Sequence, residues 1–255
     1  MTDAGAEAME AEFDVVAAWT QEAVDRLGPD HAIPAGCRGS ASPTALTWLG
    51  EACELAKDAR LLDAGGGVGG PAAFAAHRFG VRPVLVEPML GACRAAVRLF
   101  DLMAVAGAGQ RLPLASGSVD AAWCLGVLCT TTDKAALLHE LRRVLPAGGA
   151  LGLLVFTALT TPLPDPPEGN AFPTDDEVAR LLAHSGFDLV QQVDTADLAA
   201  APLSWTERIA AVEQAIADAH GDDPRFALAR DQEQRVGRLL ADGHVAGRLL
   251  HAVAR

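Results

Sequence analysis

The sequence has no tyrosine and only two lysines, and its 33 acidic residues outnumber its 20 basic ones. The net charge of -13 opposes binding to nucleic acid, because a phosphate backbone requires a basic surface. The same charge opposes docking on anionic lipid. We therefore expect neither a nucleic-acid nor a membrane partner. The scarcity of lysine beside abundant alanine and arginine is typical of GC-rich bacterial genomes.

Long apolar runs are also missing. The best one, ALGLLVFTAL, has about half the length that a membrane-spanning helix needs. The N-terminus, MTDAGAEAMEAEFD, is acidic and lacks the basic start and apolar centre of a signal peptide. These features predict a cytoplasmic protein.

The cysteines do not follow a disulfide or zinc-binding pattern. There are five, an odd number, and none of them forms a C-x-x-C pair: Cys37, Cys53, Cys93, Cys124 and Cys129. This spacing predicts reduced thiols and no metal site.

The chain does contain a regular alternation of strand and helix patterns. Short apolar strands such as RLLDAG and VRPVLVEP alternate with helical segments of 10–13 residues between residues 59 and 160. This order predicts an α/β fold with a mostly parallel sheet and helices on both faces. Residues 5–27 and TALTWLGEACELA predict N-terminal helices separated by a loop, PDHAIPAGCRGSASP.

The C-terminal part is longer than a simple α/β unit needs. It contains a capping box at Thr174–Glu177, two helix patterns at 203–219 and 223–242, and a final strand pattern. No repeat or clear linker interrupts the chain, so we expect one domain over residues 1–255. We divide it into N-terminal helices (1–58), a cofactor-binding core (59–160) and a C-terminal part (161–255) with a helical cap near 200–242.

The segment LLDAGGGVGGPAAF fits two different cofactor loops. Gly65, Gly67 and Gly70 spell G-x-G-x-x-G, which cradles the pyrophosphate of a dinucleotide. Asp63, Gly65, Gly67 and Gly69 spell D-x-G-x-G-x-G, the loop that holds S-adenosylmethionine (SAM). Both loops lie between a strand and a helix, where backbone N–H groups point at the ligand.

Asp63 favours SAM over a dinucleotide. A carboxylate two residues before the first glycine would repel a pyrophosphate, whereas it attracts the ammonium and sulfonium groups of SAM. Glu87, at the end of the next strand, does not separate the two, because a carboxylate there can bind the ribose hydroxyls of either cofactor. An NAD(P)-dependent oxidoreductase is therefore the less favoured alternative.

Four motifs in order carry a family resemblance over residues 60–156: RLLDAGGGVGG, VLVEPM, QRLPLASGSVDAAWCLGVL and HELRRVLPAGGALGLLVF. Together they resemble the class I SAM-dependent methyltransferases, closest to the group with the ubiquinone/menaquinone-biosynthesis and small-molecule enzymes. The segment IPAGCRGSASPTALTWL resembles actinobacterial members without an assigned substrate. The resemblance implies a Rossmann-like fold with a seven-stranded sheet and an antiparallel final strand. It also implies methyl transfer from SAM to an O, N or C atom of a small molecule, with S-adenosylhomocysteine as product.

The resemblance assigns the parts of SAM to residues of the first two motifs. The methionine end would lie against Asp63 and the backbone of Gly65 and Gly67. The ribose would bind Glu87, and the adenine would pack on Pro88 and Met89.

The adenine loop departs from the family pattern. The family usually has Asp-Ala-x-x-Leu-Pro, whereas this chain has AGQRLP and lacks the Asp that accepts from the adenine amino group. We expect the side-chain carbonyl of Gln110 to replace it and the backbone of Arg111 to serve the ring. In the next motif, the carbonyl of Cys124 would meet the methionine ammonium, and Leu125 would pack near the sulfonium.

Methyl transfer mainly needs an acceptor held in line with the methyl group in a dry pocket. A general base is needed only when the acceptor is protonated. His31, in the loop before the core, is a candidate base, and Arg38 could pair with the SAM carboxylate or an acidic substrate. Each could equally be a surface loop residue.

Other candidates lie where the acceptor is expected. Cys129 and Thr130 to Thr132 follow the fourth strand, where they could line the pocket or simply pack and cap a helix. Trp205 and Arg208 are spaced i, i+3 in the cap and could face an aromatic acceptor, or could be a core tryptophan and a surface arginine.

Two further alternatives remain open. A protein of this fold could keep the cofactor or the scaffold and act as a binding or assembly partner, or catalyse a non-methylation step. A soft metalloid could bind Cys37, Cys124 and Cys129, as in related arsenite methyltransferases, although the paired cysteines of those enzymes are missing here.

Overall fold

The computed structural model describes Gly5, Met9 and residues 11–255. Its centre is a seven-stranded sheet in the order β3-β2-β1-β4-β5-β7-β6. Strand β7 is antiparallel to β5 and β6, and the other pairs are parallel, which confirms the expected sheet. The strands are β1 (Arg60–Ala64), β2 (Arg82–Glu87), β3 (Met103–Ala106), β4 (Ala121–Leu125), β5 (Ala150–Ala158), β6 (Phe187–Asp194) and β7 (Val245–Ala254).

Helices cover both faces of this sheet. They are α1 (Val16–Leu27), α2 (Ala32–Gly36), α3 (Pro43–Ala52), α4 (Gly70–Phe79), α5 (Leu90–Phe100), α6 (Lys134–Val144), α7 (Asp175–His184), α8 (Leu203–His220) and α9 (Pro224–Ala241). A π-helical turn at Ala11–Val15 precedes α1. None of the described helices is long and apolar enough to cross a membrane.

The alternation of side chains along the strands divides the core into two layers. Leu62, on one face of β1, belongs to a cluster with side chains of α6 and α7. Leu61, on the other face, belongs to a cluster with α3, α4 and Trp123. Successive strand residues point to opposite faces, so an uninterrupted apolar strand serves both layers.

Local sequence signals explain where several helices begin. The Oγ of Ser42 accepts the N–H of Ala45 at 3.1 Å, which caps α3. The predicted capping box of α7 is confirmed: Thr174 Oγ1 accepts the N–H of Glu177, and Glu177 Oε2 accepts the N–H of Thr174.

One expectation about the fold is wrong. The loop expected between the N-terminal helices contains a 3-10 turn at Pro29–His31 and the short helix α2. Pro34 lies in the first turn of α2, where no intrahelical bond requires its missing N–H. Proline in this stretch therefore starts helices and does not break them.

The two helices expected near 200–242 are present as α8 and α9, and they pack on α1. Trp19 of α1 stacks on His220 at a centroid distance of 4.5 Å. Arg225 of α9 lies over the Trp19 ring at 5.7 Å, and Phe226 contacts the ring at 6.4 Å in a tilted arrangement. These helices join the two ends of the chain. Their role as a cap over an acceptor stays a prediction.

Candidate functional site

The glycine loop between β1 and α4 adopts a backbone conformation that other residues rarely reach. The φ angles of Gly65, Gly67 and Gly69 are 70°, 54° and 86°. A Cβ on Gly67 would meet open space, whereas a Cβ on Gly65 would lie 2.6 Å from Cγ2 of Val127. The loop is therefore packed at Gly65 and approachable at Gly67.

Asp63 lies beneath this loop at the end of β1, and its side chain is 1% exposed. Burial raises the pKa of its carboxyl to about 7; the charge of Glu87 raises it further, and a hydrogen bond from the Ala72 backbone lowers it. Its Oδ2 is buried without a hydrogen-bond partner. A buried carboxylate without a partner is costly, so this position fits a cationic ligand group.

Glu87 ends β2 beside the glycine loop and is 5% exposed. Its Oε2 accepts the N–H of Gly67 at 3.0 Å, and its Oε1 accepts the N–H of Met89 at 3.0 Å. Burial raises the pKa of this carboxyl, the two backbone bonds lower it, and the charge of Asp14 raises it. Each carboxylate oxygen keeps a second lone pair, so the pair of oxygens can still accept from two ribose hydroxyls.

The expected adenine side is a 3-10 turn, Gly109–Arg111. Gln110 is half-buried there, and Arg111 is exposed. The N–H of Arg111 donates to the carbonyl of Ala108 at 3.0 Å, which already engages one of its two backbone groups. The turn is fixed to α6 because the N–H of Leu112 donates to Glu140 at 2.8 Å.

Pro88 and Met89 follow Glu87, as the adenine assignment requires. Pro88 is exposed and Met89 is half-buried. Met89 packs in a small apolar cluster with Val68 of the glycine loop and Ala17 of α1. The expected adenine surface is therefore continuous with the loop and with the first helix.

Cys124 and Leu125 end β4 and are buried. Burial raises the pKa of the Cys124 thiol, and the nearby Asp63 charge raises it further, so the thiol stays neutral. In the following turn, Cys129 Sγ donates to the carbonyl of Gly126 at 3.0 Å. Thr130 Oγ1 donates to the carbonyl of Val127 at 3.0 Å. Both side chains lie next to the end of β4 and are engaged in their own turn.

Two of the remaining candidates belong to contacts of α8. Arg38 pairs with Glu213 at 3.8 Å. Trp205 meets Phe74 of α4 edge to face, with ring centroids 6.4 Å apart. The structure thus brings Arg38 and Trp205 to opposite ends of one surface of α8.

The other two candidates lie near the start of α2. Arg208 pairs with Asp30 at 4.0 Å. His31 Nδ1 lies 3.3 Å from the carbonyl of Gly28. Their partners come from the N-terminal turn, so both side chains help to place α8 beside it.

The cysteines do not gather into a metal centre. All five are buried. Within the described part of the chain, no group of three or more His, Cys, Asp or Glu residues is placed to hold a metal ion.

A family model described as "Methyltransferase domain" matches residues 62–153. This segment is a methyltransferase domain. It begins in β1 and ends in β5, so it contains Asp63, the glycine loop, Glu87 and the end of β4. Its sheet order is that of the class I SAM-dependent enzymes. No curated protein matches the chain.

Solved structures that contain this fold resemble the chain over most of its length. The [4+2]-cyclase SpnF is 22% identical, with a TM-score of 0.65 over 82% of this chain and 79% of that one. The geranyl diphosphate C-methyltransferase of Streptomyces coelicolor A3(2), with Mg2+, geranyl diphosphate and S-adenosyl-L-homocysteine, is 19% identical, with a TM-score of 0.57 over 82% and 78%. The cyclopropane synthase MmaA2 of Mycobacterium tuberculosis is 16% identical, with a TM-score of 0.68 over 91% and 98%. At these identities the likeness shows the fold.

Several contacts around the methyltransferase domain are not evident from the sequence motifs. A Cβ on Gly70 would lie 2.2 Å from the backbone carbon of Gly36, so the end of α2 rests directly on the start of α4. The N–H of Gly91 donates to Asp14 Oδ1 at 2.5 Å. The paired glycines of the loop signal a close approach, but they do not say which distant segment approaches.

Proposed function

We propose that the protein transfers a methyl group from SAM to an O, N or C atom of a small molecule. The observation that carries the proposal is Asp63, a buried carboxylate with an unpartnered oxygen beneath a glycine loop. SAM presents an ammonium group to such a loop, and the opposite charge would offset the desolvation of Asp63. The match of residues 62–153 to a methyltransferase domain supports the same conclusion.

The residues around Asp63 divide the binding of SAM among them. Gly67 leaves its side of the loop open, so the backbone can approach the methionine end. Glu87 is held by two backbone N–H groups and faces the ribose with its remaining lone pairs. Gln110 supplies the acceptor for the adenine amino group.

SAM supplies an electrophilic methyl group on a sulfonium that leaves without acid catalysis. The chain therefore has to position the acceptor and exclude water. Leu125 is apolar and buried at the end of β4, which suits a dry wall beside the sulfonium. Positioning of this kind can contribute several kcal/mol to lowering the barrier.

The acceptor is expected beyond the ends of β4 and β5, as in other open α/β sheets. Cys129 and Thr130 lie there and would contact it. Trp205 and Arg208 would contribute from the α8 side, and His31 would act as base for a protonated acceptor. A small-molecule acceptor agrees with the acidic surface of the chain, which disfavours nucleic acid.

A second candidate is a non-methylation reaction at the same site. Two observations favour keeping it: the adenine loop lacks the usual Asp, and one neighbour in fold is named a [4+2]-cyclase. This candidate predicts binding of SAM or S-adenosylhomocysteine without transfer of the methyl group.

The test is the melting temperature with excess SAM, S-adenosylhomocysteine, NADH or no ligand. A ligand at about 100 times its Kd adds roughly 2.7 kcal/mol, which shifts the melting temperature of a chain this size by several degrees. We expect a shift with the adenosyl compounds and none with NADH. A shift with NADH alone would contradict the proposal. Transfer of labelled methyl from SAM to a panel of small molecules then separates the two candidates.

A further inference from the structure

Solvent hardly reaches the two carboxylates that the proposed function assigns to SAM, since both Asp63 and Glu87 are buried. Two surface grooves are present in the described part of the chain, one on α5 and one between α6 and α7, and neither is lined by these carboxylates. A ligand of the size of SAM can therefore enter only if a covering segment moves.

The N-terminal strap, which we define as Gly5, Met9 and residues 11–15, crosses the sheet edge where the strands end. At one end of the strap, Gly5 and Met9 lie beside Gly169 in the loop after β5: a Cβ on Gly169 would be 3.5 Å from the Gly5 carbonyl oxygen and 3.4 Å from Met9 Cγ. At the other end, the side chain of Asp14 binds the start of α5. The strap thus spans the ends of β5 and β2.

The first helix continues this cover. Ala17 packs in the cluster that contains Val68 of the glycine loop and Met89 after β2. This contact is small and apolar, and the side chains in it are short or only partly buried. The strap and the start of α1 are therefore the part of the cover with the fewest ties to the sheet.

Asp14 provides a polar tie in this cover. Its Oδ1 accepts the N–H of Gly91, which lies in the first turn of α5. A carboxylate is favoured at this place because the first N–H groups of a helix lack partners and carry partial positive charge. The same carboxylate lies close enough to Glu87 to act on its ionisation. The tie is thus next to the residue that would hold the ribose.

We propose that Asp14 is a positioning residue that fastens the strap across the cofactor site, and that SAM and S-adenosylhomocysteine exchange when this contact opens. This inference rests on the proposed function and concerns residues outside the matched methyltransferase domain. A purely structural role of Asp14, as a cap of α5, would change stability and leave the exchange of ligand unaltered.

Two variants break the contact from opposite sides. Asp14→Ala removes the acceptor. Gly91→Ala adds a Cβ that would lie 2.7 Å from both Oδ1 and the backbone oxygen of Asp14, so it displaces the strap without removing a charge. Asp14→Asn keeps an acceptor oxygen and loses the charge, and serves as a mild third variant.

Each main variant has a matched control. Glu22→Ala removes an exposed carboxylate from α1 at a place where its partner is His220. Gly237→Ala adds a Cβ to a helical glycine that has nothing within 4 Å of the added atom. The melting temperature of every variant is measured first, so that an unfolded variant is recognised before rates are compared.

The readout is the association and dissociation rate of S-adenosylhomocysteine, followed by stopped-flow fluorescence. We expect Asp14→Ala and Gly91→Ala to raise both rates about fivefold, which is the equivalent of one hydrogen bond to a charged group, with Kd changed less than about threefold. Asp14→Asn should lie between them and the wild type. Both controls should exchange ligand at wild-type rates.

The outcomes are distinct. If the wild type binds S-adenosylhomocysteine and both main variants exchange it at wild-type rates, the strap proposal is wrong and the proposed function stands. If Kd rises while the association rate is unchanged, Asp14 contacts the ligand directly, and the gating role is also wrong. If the wild type binds neither adenosyl compound, the proposed function fails and the strap proposal fails with it.

Discussion

The cofactor half of the site and its cover are built in different ways. In the cofactor half, the decisive contacts join residues close in sequence: Gly67 and Glu87 are 20 positions apart. In the cover, Asp14 reaches Gly91 across 77 positions, and His220 reaches Glu22 across 198. The first half coincides with the matched domain at 62–153, whereas the cover is assembled from both ends of the chain. The comparison teaches that one contiguous segment specifies the cofactor and that distant segments control access to it.

The two regions also differ in electrostatics. Asp63 and Glu87 are buried, and burial raises the pKa of both carboxyls. The charged contacts of the cover, such as Arg38 with Glu213 and Arg208 with Asp30, are partly exposed ion pairs. Exposed pairs contribute little, whereas a buried charge that gains a partner contributes much more. Changes in the cofactor half should therefore have the larger effects.

The largest effect is expected from Asp63→Asn. This change keeps the size of the side chain and removes the charge that would meet the ammonium of SAM. A hydrogen bond between charged groups contributes roughly 1.5–3 kcal/mol, so the Kd for SAM should rise about 10- to 100-fold. Isothermal titration calorimetry measures this change.

Asp101→Asn is the matched control for that experiment. Asp101 is exposed at the end of α5 with a φ of 53°, a conformation that asparagine also tolerates. Its replacement should leave the affinity for SAM unaltered. Equal affinities of the two variants would mean that Asp63 does not face the ligand, and the comparison between the two regions would lose its main support.

Gly70→Ala should have the next largest effect, because it strikes the boundary between the two regions. The added Cβ would lie 2.2 Å from the backbone carbon of Gly36 and 2.5 Å from the N of Cys37, and backbone atoms cannot move aside cheaply. Overpacking of this kind costs about 1–3 kcal/mol, or several degrees in the melting temperature of a chain this size. Calorimetry of the ligand-free protein checks this, with Gly237→Ala as the control. An unchanged melting temperature would show that α2 does not depend on this contact.

The same boundary separates what the sequence predicts from what it does not. The glycine loop, Glu87 and the order of strands and helices are local patterns, so they can be read from short segments. Asp14 and Gly36 lie in segments with no comparable pattern, since their partners are chosen by the way the whole chain packs. The helix α2 was expected to be a loop because its prolines suggested a break. A pair of adjacent glycines predicts a close approach and leaves the approaching segment open.

The affinity for SAM should depend on pH through Asp63. The pKa of this carboxyl is raised from 3.8 to about 7 in the ligand-free protein, and only its ionised form attracts the ammonium. The affinity should therefore rise about tenfold between pH 6 and pH 8, because the ionised fraction rises by that factor. Titration calorimetry at several pH values measures it, and Asp63→Asn should show a flatter profile. A flat wild-type profile would contradict the assignment.

The ligand-free protein should show the opposite trend in stability. The folded state binds the Asp63 proton more tightly than the unfolded chain does, because the folded pKa is the higher one. Between pH 4 and pH 7 the contribution of this group to stability therefore falls as the pH rises. A melting temperature that falls with pH without SAM, and falls less with SAM, would connect burial and binding in one residue.

The smallest effects are expected in the cover, at Arg38. Its pair with Glu213 is partly exposed, so Arg38→Ala and Glu213→Ala should each destabilise the protein by no more than about 1 kcal/mol. If Arg38 also binds the carboxylate of SAM, the two variants differ in binding: Arg38→Ala should raise the Kd for SAM about threefold, the equivalent of a weak ion pair, and Glu213→Ala should leave it unaltered. Melting curves and calorimetry on both variants make the comparison. Equal effects of the two changes would assign Arg38 to the packing of α8 alone, and would leave the recognition of SAM entirely to the segment between β1 and β5.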